Sequence, residues 1–201
     1  MRPTRHKTII DAARLEFTER GFAAASIRDI AKRAEMSMSA LYHYYPGKQD
    51  LLMAILDEGV DAYTEACAEA LAAVGEDPAE RLEALVAATV RFRAEHPAKS
   101  SVTITEERSL SPENLRTYRE RLAGSTRLFQ GILEDGIARG VFNTPYPDDA
   151  RRGIIAMCNA ISQWYRPEGE LTRDDLVERY VSLALTLAEC RPRAARRGAK
   201  P

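Results

Sequence analysis

The apolar residues of this 201-residue chain recur at intervals of three and four positions, the spacing that places them on one side of an α-helix. The pattern is clear in residues 82–92, 154–164 and 176–187. Clean alternation of apolar and polar residues, which marks a half-buried strand, is limited to an ambiguous run at 102–105. We therefore predict an all-α protein of about nine helices.

Prolines and capping residues set the helix boundaries. Six proline-free spans of 14 to 32 residues lie between Pro46 and Pro192, and such spans suit helices better than strands. Gly21 can end the first helix in a left-handed conformation, and Ser26 is a good N-cap for the second, with Asp29 three residues on. The predicted helices cover 4–20, 27–34, 38–44 and 48–74, then one after Pro78, one in the Ser100 region, one opening at Pro112, one near Asp148 and one capped by Thr172.

The first three predicted helices have the outline of a helix-turn-helix. Helices 2 and 3 are short, a three-residue turn at 35–37 joins them, and both can pack on helix 1. Apolar side chains are spaced to close a small core among the three helices, and they are Ile10, Ala13, Phe17, Phe22, Ile27, Ile30, Ala31, Met36, Leu41 and Tyr45.

The opposite face of helix 3 has side chains that suit contact with DNA. Small hydroxyls and alanine let a helix enter a major groove and reach base edges or a thymine methyl group. Tyr42 and Tyr44 can bond to phosphates, and Lys48 stands at the start of helix 4, where its ammonium can join exposed N–H groups that hold a phosphate. The candidate DNA-binding residues are Arg28, Ser37, Met38, Ser39, Ala40, Tyr42, His43, Tyr44 and Lys48.

Charge is divided unevenly along the chain, although the formal total is only −1. Residues 1–50 carry nine basic and six acidic side chains, residues 51–190 carry 15 and 24, and residues 191–201 carry five and none. The total excludes a uniformly basic DNA-coating protein, whereas the +3 head can meet a polyanion and the −9 body cannot. We predict a DNA-binding domain at 1–47, a separate body at 48–190, and at 191–201 a basic, disordered tail or an extra phosphate contact.

Two stretches of the head resemble a known family. Residues 21–31, GFAAASIRDIA, and residues 36–51, MSMSALYHYYPGKQDL, look like the DNA-binding domain of the TetR family of transcriptional regulators. The resemblance implies a homodimeric repressor of about nine helices, with the operator read by helix 3 and a ligand held in helices 4 to 8. It thereby makes residues 48–190 a ligand-binding and dimerisation domain. Glu35 departs from the family pattern, which usually has glycine in the turn, and a left-handed Glu35 costs about 1 kcal/mol relative to glycine.

The body resembles a subgroup of that family whose members often respond to acyl-CoA thioesters. The resemblance lies in residues 133–142 and 164–172, and it implies a small apolar effector in a pocket with few polar anchors. Arg91, Arg93 and Arg116 are candidates for CoA phosphates, with a plain surface charge as the alternative for each. The candidate pocket residues, each of which is otherwise a core position, are Phe92, Tyr118, Leu122, Phe129, Met157, Cys158, Ile161 and Trp164.

Helices 8 and 9 are the most apolar of the body and predict a homodimer. A two-helix face from each subunit would form an isologous four-helix bundle, with monomer core as the competing explanation for about half of the face. Two recognition helices can reach successive major grooves about 34 Å apart, so the expected partner is a palindromic double-stranded DNA operator. The predicted interface residues are Ile154, Ile161, Tyr165, Leu176, Tyr180, Leu183 and Leu187.

Other classes of protein fit the sequence poorly. The three histidines have no nucleophile and carboxylate at motif spacing, and the glycines form no phosphate loop, so we predict no enzyme and no catalytic residue. Cys67, Cys158 and Cys190 lack metal-ligand spacing, which indicates small buried thiols in a reducing cytoplasm and neither a metal nor a cofactor. The longest uncharged run has 13 residues, too few to cross a membrane. The rival prediction is a TetR-like regulator without a small-molecule effector, constitutive or controlled by a protein partner.

Overall fold

The structure is a computed structural model and describes residues 5–96 and 106–191. These residues form eight α-helices and no strand, which confirms the all-α prediction with one helix fewer than expected. The sixth predicted helix, in the Ser100 region, and the run at 102–105 lie outside the described residues. The helices are α1 (Arg5–Ala24), α2 (Ile27–Arg33), α3 (Met38–Tyr44), α4 (Lys48–Ala72), α5 (Pro78–Glu95), α6 (Pro112–Ala138), α7 (Pro147–Trp164) and α8 (Arg173–Leu187), with a 3₁₀ turn at Glu107–Ser109.

The chain divides into two compact units. The first contains Met1–Ala62 and His96–Leu122, and the second contains Tyr63–Glu95 and Ala123–Pro201. Helices α4 and α6 contribute residues to both units. The functional division predicted after residue 47 falls inside the first unit and stays a prediction, and the predicted tail beyond residue 191 lies outside the described residues.

Local signals place the ends of the first helices. Helix α1 bends at Gly21, whose φ of 74° and ψ of 159° are not helical, so the regular helix stops at the predicted glycine. The Ser26 hydroxyl accepts a hydrogen bond from the backbone N–H of Asp29 at 3.1 Å and so caps α2. The turn before α3 passes through Glu35, whose φ of 54° is left-handed.

The first unit closes around an apolar core. Of the ten residues predicted to form it, seven are buried, and Phe22, Ile27 and Met36 are partly buried against the others. Helices α4 and α6 enlarge this core, for example with Leu52 and Tyr118, each 0% exposed. Each large side chain buried in this way contributes about 1.5–3 kcal/mol to folding.

Buried charges in the first unit are paired. Arg14 is 8% exposed and donates to Asp11 at 2.8 Å and to Glu58 at 2.7 Å, which joins α1 to α4. Glu16 is 3% exposed and accepts from the Nε of Arg33 at 2.9 Å, which joins α1 to α2. These pairs hold the short helices without leaving a buried charge alone.

In the second unit, α5 packs against both α7 and α8, and α7 packs against α8. Cys67 and Cys158 lie buried in this unit as free thiols, as predicted, whereas the free thiol Cys190 is only half-buried. Thr172 caps α8 as predicted, in a capping box with Asp175. Hydrogen bonds from the Thr172 side chain and backbone lower the pKa of the Asp175 carboxyl.

A tight turn follows α6. The carbonyl oxygen of Gly136 accepts hydrogen bonds from the backbone N–H groups of Val141 at 2.8 Å and Phe142 at 3.1 Å. Gly140 has a φ of 65°, the left-handed conformation that glycine adopts at helix ends. The residues 133–142 that resemble the acyl-CoA-responsive subgroup therefore include a structural turn that closes a helix.

Candidate DNA-binding and effector sites

Helix α3 presents a face of small and polar side chains. Leu41, at 0% exposed, anchors the helix in the core of the first unit. Tyr42 and Tyr44 are 46% and 39% exposed, so both phenols can reach a phosphate. The predicted face is half-buried at Ala40 and exposed at Ser37, Met38, Ser39, Tyr42, His43 and Tyr44.

Ser37 belongs to this face and also caps α3. Its hydroxyl oxygen accepts from the backbone N–H of Ala40 at 3.1 Å. This bond uses a lone pair, so the hydroxyl proton is still a donor for a phosphate or a base edge. Arg28, on α2, is exposed and brings a cation to the first unit's surface.

Lys48 is engaged within the protein. Its ammonium donates to the carbonyl oxygens of Phe22 at 2.6 Å, Ala25 at 3.0 Å and Ala23 at 3.3 Å, and it lies 4.4 Å from the centre of the Phe22 ring. Because an ammonium has three donors, these carbonyls occupy all of them. Through these bonds Lys48 fastens the start of α4 to the α1–α2 link. A contact between Lys48 and DNA stays a prediction.

The eight residues predicted to line an effector pocket are divided between the two units. Tyr118 and Leu122 pack in the core of the first unit, so the structure does not bring all eight into one described site. Trp164 is 47% exposed, and its ring stacks on that of Tyr180 with the centroids 6.5 Å apart. The remaining five lie in the second unit, half-buried at Met157 and buried at Phe92, Phe129, Cys158 and Ile161.

A surface groove of about 680 Å³ runs between α5 and α8 in the second unit. None of the eight predicted pocket residues is among the residues that line it. Its lining includes Arg91 together with four carboxylates, Glu80, Glu83, Asp174 and Glu178. This negative charge opposes an anionic ligand, so the groove suits an acyl-CoA poorly.

Arg93 lies in the interior of the second unit. It is 5% exposed, and its guanidinium carbon is 4.9 Å from the centre of the Tyr63 ring and 5.7 Å from that of Phe92. The sequence interpretation of Arg93 as a surface charge is therefore wrong. A signal was available, because Arg93 continues the apolar stripe of α5 through Val86 and Thr89 at helical spacing.

The polar groups around Arg93 are neutral. Burial raises the pKa of the Cys158 thiol to about 12 and also raises that of the Cys67 thiol, although the nearby Arg93 charge opposes both shifts. Burial likewise raises the pKa of the Tyr63 phenol. None of the three therefore supplies a negative charge to the guanidinium at neutral pH.

The predicted dimer face is partly monomer core. Leu183 and Leu187 on α8 are 50% and 41% exposed, and Trp164 and half-buried Tyr180 add aromatic surface. Four of the seven predicted interface residues are buried within the chain, in agreement with the monomer-core explanation given for about half of them: Ile154, Ile161, Tyr165 and Leu176.

No helix in 5–96 or 106–191 combines the length and the apolar character needed to span a bilayer. In the same residues, no three side chains among His, Cys, Asp and Glu are grouped to hold a metal ion.

The exposed α3, its capped turn and the core beneath it define a helix-turn-helix DNA-binding protein. Two family models match the chain: "Bacterial regulatory proteins, tetR family" over residues 9–55, and "Tetracyclin repressor-like, C-terminal domain" over residues 75–188. The chain belongs to the TetR family of transcriptional regulators, which confirms the resemblance seen in the sequence.

Similar proteins cover almost the whole chain. The HTH-type transcriptional repressor KstR2 of Rhodococcus jostii (strain RHA1) is 31% identical over 189 residues, which are 90% of this chain and 89% of that protein. The crystal structure of a tetR-family regulatory protein from Rhodococcus RHA1 is 30% identical, with a TM-score of 0.88 over 95% of this chain and 100% of that one. The ketosteroid transcriptional regulator KstR2 of Mycobacterium tuberculosis is 25% identical, with a TM-score of 0.81 over 92% and 95% of the two chains.

Proposed function

We propose that the chain is a ligand-responsive transcriptional repressor that a small apolar effector releases from its operator. The observation that carries the proposal is the exposed face of α3, anchored by Leu41, in a chain similar to the repressor KstR2 over 90% of its length. The description of one KstR2 as a ketosteroid regulator supports an apolar effector, and the resemblance of the body supports an acyl-CoA thioester. The proposal places the protein with DNA in the cytoplasm and gives it no catalytic activity.

On the DNA side, α3 enters the major groove. Ser37, Ser39 and Ala40 are small enough to let the helix approach base edges, and the phenols of Tyr42 and Tyr44 bond to phosphates on either side. The phosphate contacts fix the register, while the small residues read the sequence. The exposure of these side chains supports this division of roles.

A homodimer presents α3 twice. The exposed side chains of Leu183 and Leu187, with Tyr180 and Trp164 beside them, supply an apolar patch for an isologous contact with a second copy. Such a dimer places two recognition helices about 34 Å apart and so selects a palindromic operator.

Helix α4 supplies a route from effector to operator. It is continuous from Lys48 to Ala72, begins at the Lys48 clamp in the first unit and carries Tyr63, beside Arg93, in the second. An effector that displaces Tyr63 moves α4 and, through Lys48, the α1–α2 link. A coupling free energy of about 1–3 kcal/mol is enough for roughly 5- to 150-fold release.

The test begins with the operator. Genomic fragments bound by the purified protein are selected and sequenced, and operator affinity is then measured by fluorescence anisotropy with and without saturating acyl-CoA thioesters of several chain lengths. We expect a palindromic site and a fall in affinity with at least one thioester. Failure to select any sequence would refute DNA recognition. Unchanged affinity with every thioester, together with no copurified small molecule in native mass spectrometry, would favour the effector-independent alternative.

A further inference from the structure

Two arginines of the described chain are similarly buried but differently partnered. Arg14, 8% exposed, forms ion pairs with Asp11 and Glu58. Arg93, 5% exposed, has aromatic rings as its neighbours. The Nε of each arginine is buried without a hydrogen bond, so the difference lies in the carboxylates that only Arg14 has among the described residues. Within residues 5–96 and 106–191, no carboxylate and no hydrogen-bond acceptor is paired with the Arg93 guanidinium.

An unpaired guanidinium in the interior destabilises the ligand-free protein. Removal of a cation from water is unfavourable unless an anion or several acceptors replace the lost hydration. The faces of Tyr63 and Phe92 offset only a part of this through cation–π attraction. The charge of Arg93 is therefore available to complement a ligand, whereas that of Arg14 serves the fold.

The surroundings of Arg93 restrict the chemistry of that ligand. The Thr89 hydroxyl donates to the Leu85 carbonyl oxygen at 2.7 Å, so the 3.0 Å bond between Tyr63 and Thr89 uses the phenol proton. Tyr63 consequently has no further proton to donate, and the guanidinium is the charged donor beside it. Buried Phe92 and Cys158 add apolar surface.

We propose that Arg93 is the anion-binding residue of the effector site, and that the effector is an apolar molecule with one oxyanion, a carboxylate or a phosphate, held by the planar guanidinium. The guanidinium fork matches two oxygens of either group, which an ammonium does not. This inference rests on the proposed effector response and gives that response a chemical class.

The first measurement needs no ligand. Arg93→Met keeps most of the side-chain volume and removes the buried charge, so the melting temperature of the ligand-free protein should stay the same or rise. Arg127→Met is the matched control, because Arg127 is an exposed arginine on α6 in the same unit. Both variants should bind the selected operator like the wild type.

The second measurement uses three ten-carbon probes: decanoate, decanoyl-CoA and neutral decanamide. In thermal shift titrations we expect decanoate, decanoyl-CoA or both to stabilise the wild type and decanamide to have little effect. Arg93→Met should weaken the response to the effective anion by about 10- to 100-fold, the loss expected for a hydrogen bond to a charged group. Stabilisation by decanoate identifies a carboxylate site, and stabilisation by decanoyl-CoA alone identifies a phosphate site.

Three results would overturn the inference: a marked fall in the melting temperature of ligand-free Arg93→Met, no stabilisation of the wild type by either anion, or equal responses of the wild type and Arg93→Met. Operator release is measured in a separate experiment, so that failure of the Arg93 anion site can be told apart from failure of the proposed effector response. A separate outcome is an anion that stabilises the wild type but not Arg93→Met and still leaves operator affinity unchanged. That result would support the anion site and refute the effector response.

Discussion

At the residue scale, Gly136 of α6 lies so close to the ring of Phe142 that no side chain fits between them. A Cβ atom on Gly136 would stand 2.1 Å from the Cδ2 atom of Phe142, well inside contact distance. Phe142 is itself 2% exposed and cannot turn outward without losing its burial. The glycine is therefore required by packing in a helix where other residues would be better helix formers.

Gly136→Ala should lower the free energy of unfolding by about 1–3 kcal/mol, because the ring or the helix must shift. Gly131→Ala in the same helix is the control, since nothing lies within 4 Å of its Cβ position. That change should instead raise stability by about 0.5–1 kcal/mol. Urea denaturation measures both, and equal effects of the two substitutions would contradict the close approach.

Glu35 stands in the turn where the family resemblance leads us to expect glycine, and its backbone is left-handed, with a φ of 54°. Glu35→Gly should raise the free energy of unfolding by about 1 kcal/mol, because glycine has no steric penalty in this conformation. Operator affinity should not change, since Glu35 is outside the proposed DNA-binding face. A loss of stability in thermal denaturation would show that the Glu35 side chain makes a compensating contact.

At the scale of elements, Lys48 joins the start of α4 to the link between α1 and α2. Lys48→Met should lower the free energy of unfolding by about 1.5–3 kcal/mol, because the carbonyl oxygens of that link lose a charged donor. Lys32→Met is the control, because Lys32 is exposed on α2. The free energy of unfolding of this variant should match that of the wild type. Thermal denaturation measures both variants, and equal melting temperatures would refute a stabilising role for the Lys48 contacts.

The same variant tests the predicted phosphate contact. If Lys48 also binds DNA, the slope of log affinity against log salt concentration should fall by about one unit in Lys48→Met. An unchanged slope would restrict Lys48 to its role within the protein.

The ends of elements were predictable because they depend on neighbouring residues. The caps at Ser26 and Thr172 and the proline that opens α6 at Pro112 stand where the sequence placed them. Each of these residues acts on backbone groups within one helical turn, so a few consecutive residues are enough to predict where the helix begins.

The partners of distant side chains were not predictable in this way. Lys48 bonds to carbonyls 23 to 26 positions earlier, a distance that no local pattern encodes. The charge of Arg93 suggested the surface, although its helical spacing suggested the interior. An apolar stripe also fails to separate Ile154, which is buried within the chain, from Leu183, which is 50% exposed.

At the scale of the whole molecule, the exposed part of α8 is expected to form the dimer. Leu183→Glu should convert the dimer to a monomer and weaken operator binding while leaving helix content unchanged, because a carboxylate would be buried at an apolar contact. Leu15→Glu is the matched control, since Leu15 is 47% exposed on α1. Sedimentation equilibrium measures the mass, and a Leu183→Glu protein that remains dimeric would place the interface elsewhere.

The ion pairs of the first unit affect how such a molecule searches a genome. Arg14, Arg20 and Arg33 are each held by carboxylates of the same chain before DNA arrives. Binding to random sequence draws its strength from the counterions that cations displace from phosphates. Because Arg20 and Arg33 are paired with carboxylates and Arg14 is buried, we expect the protein to displace few of these ions and to dissociate from random DNA faster than from sites whose bases fit α3.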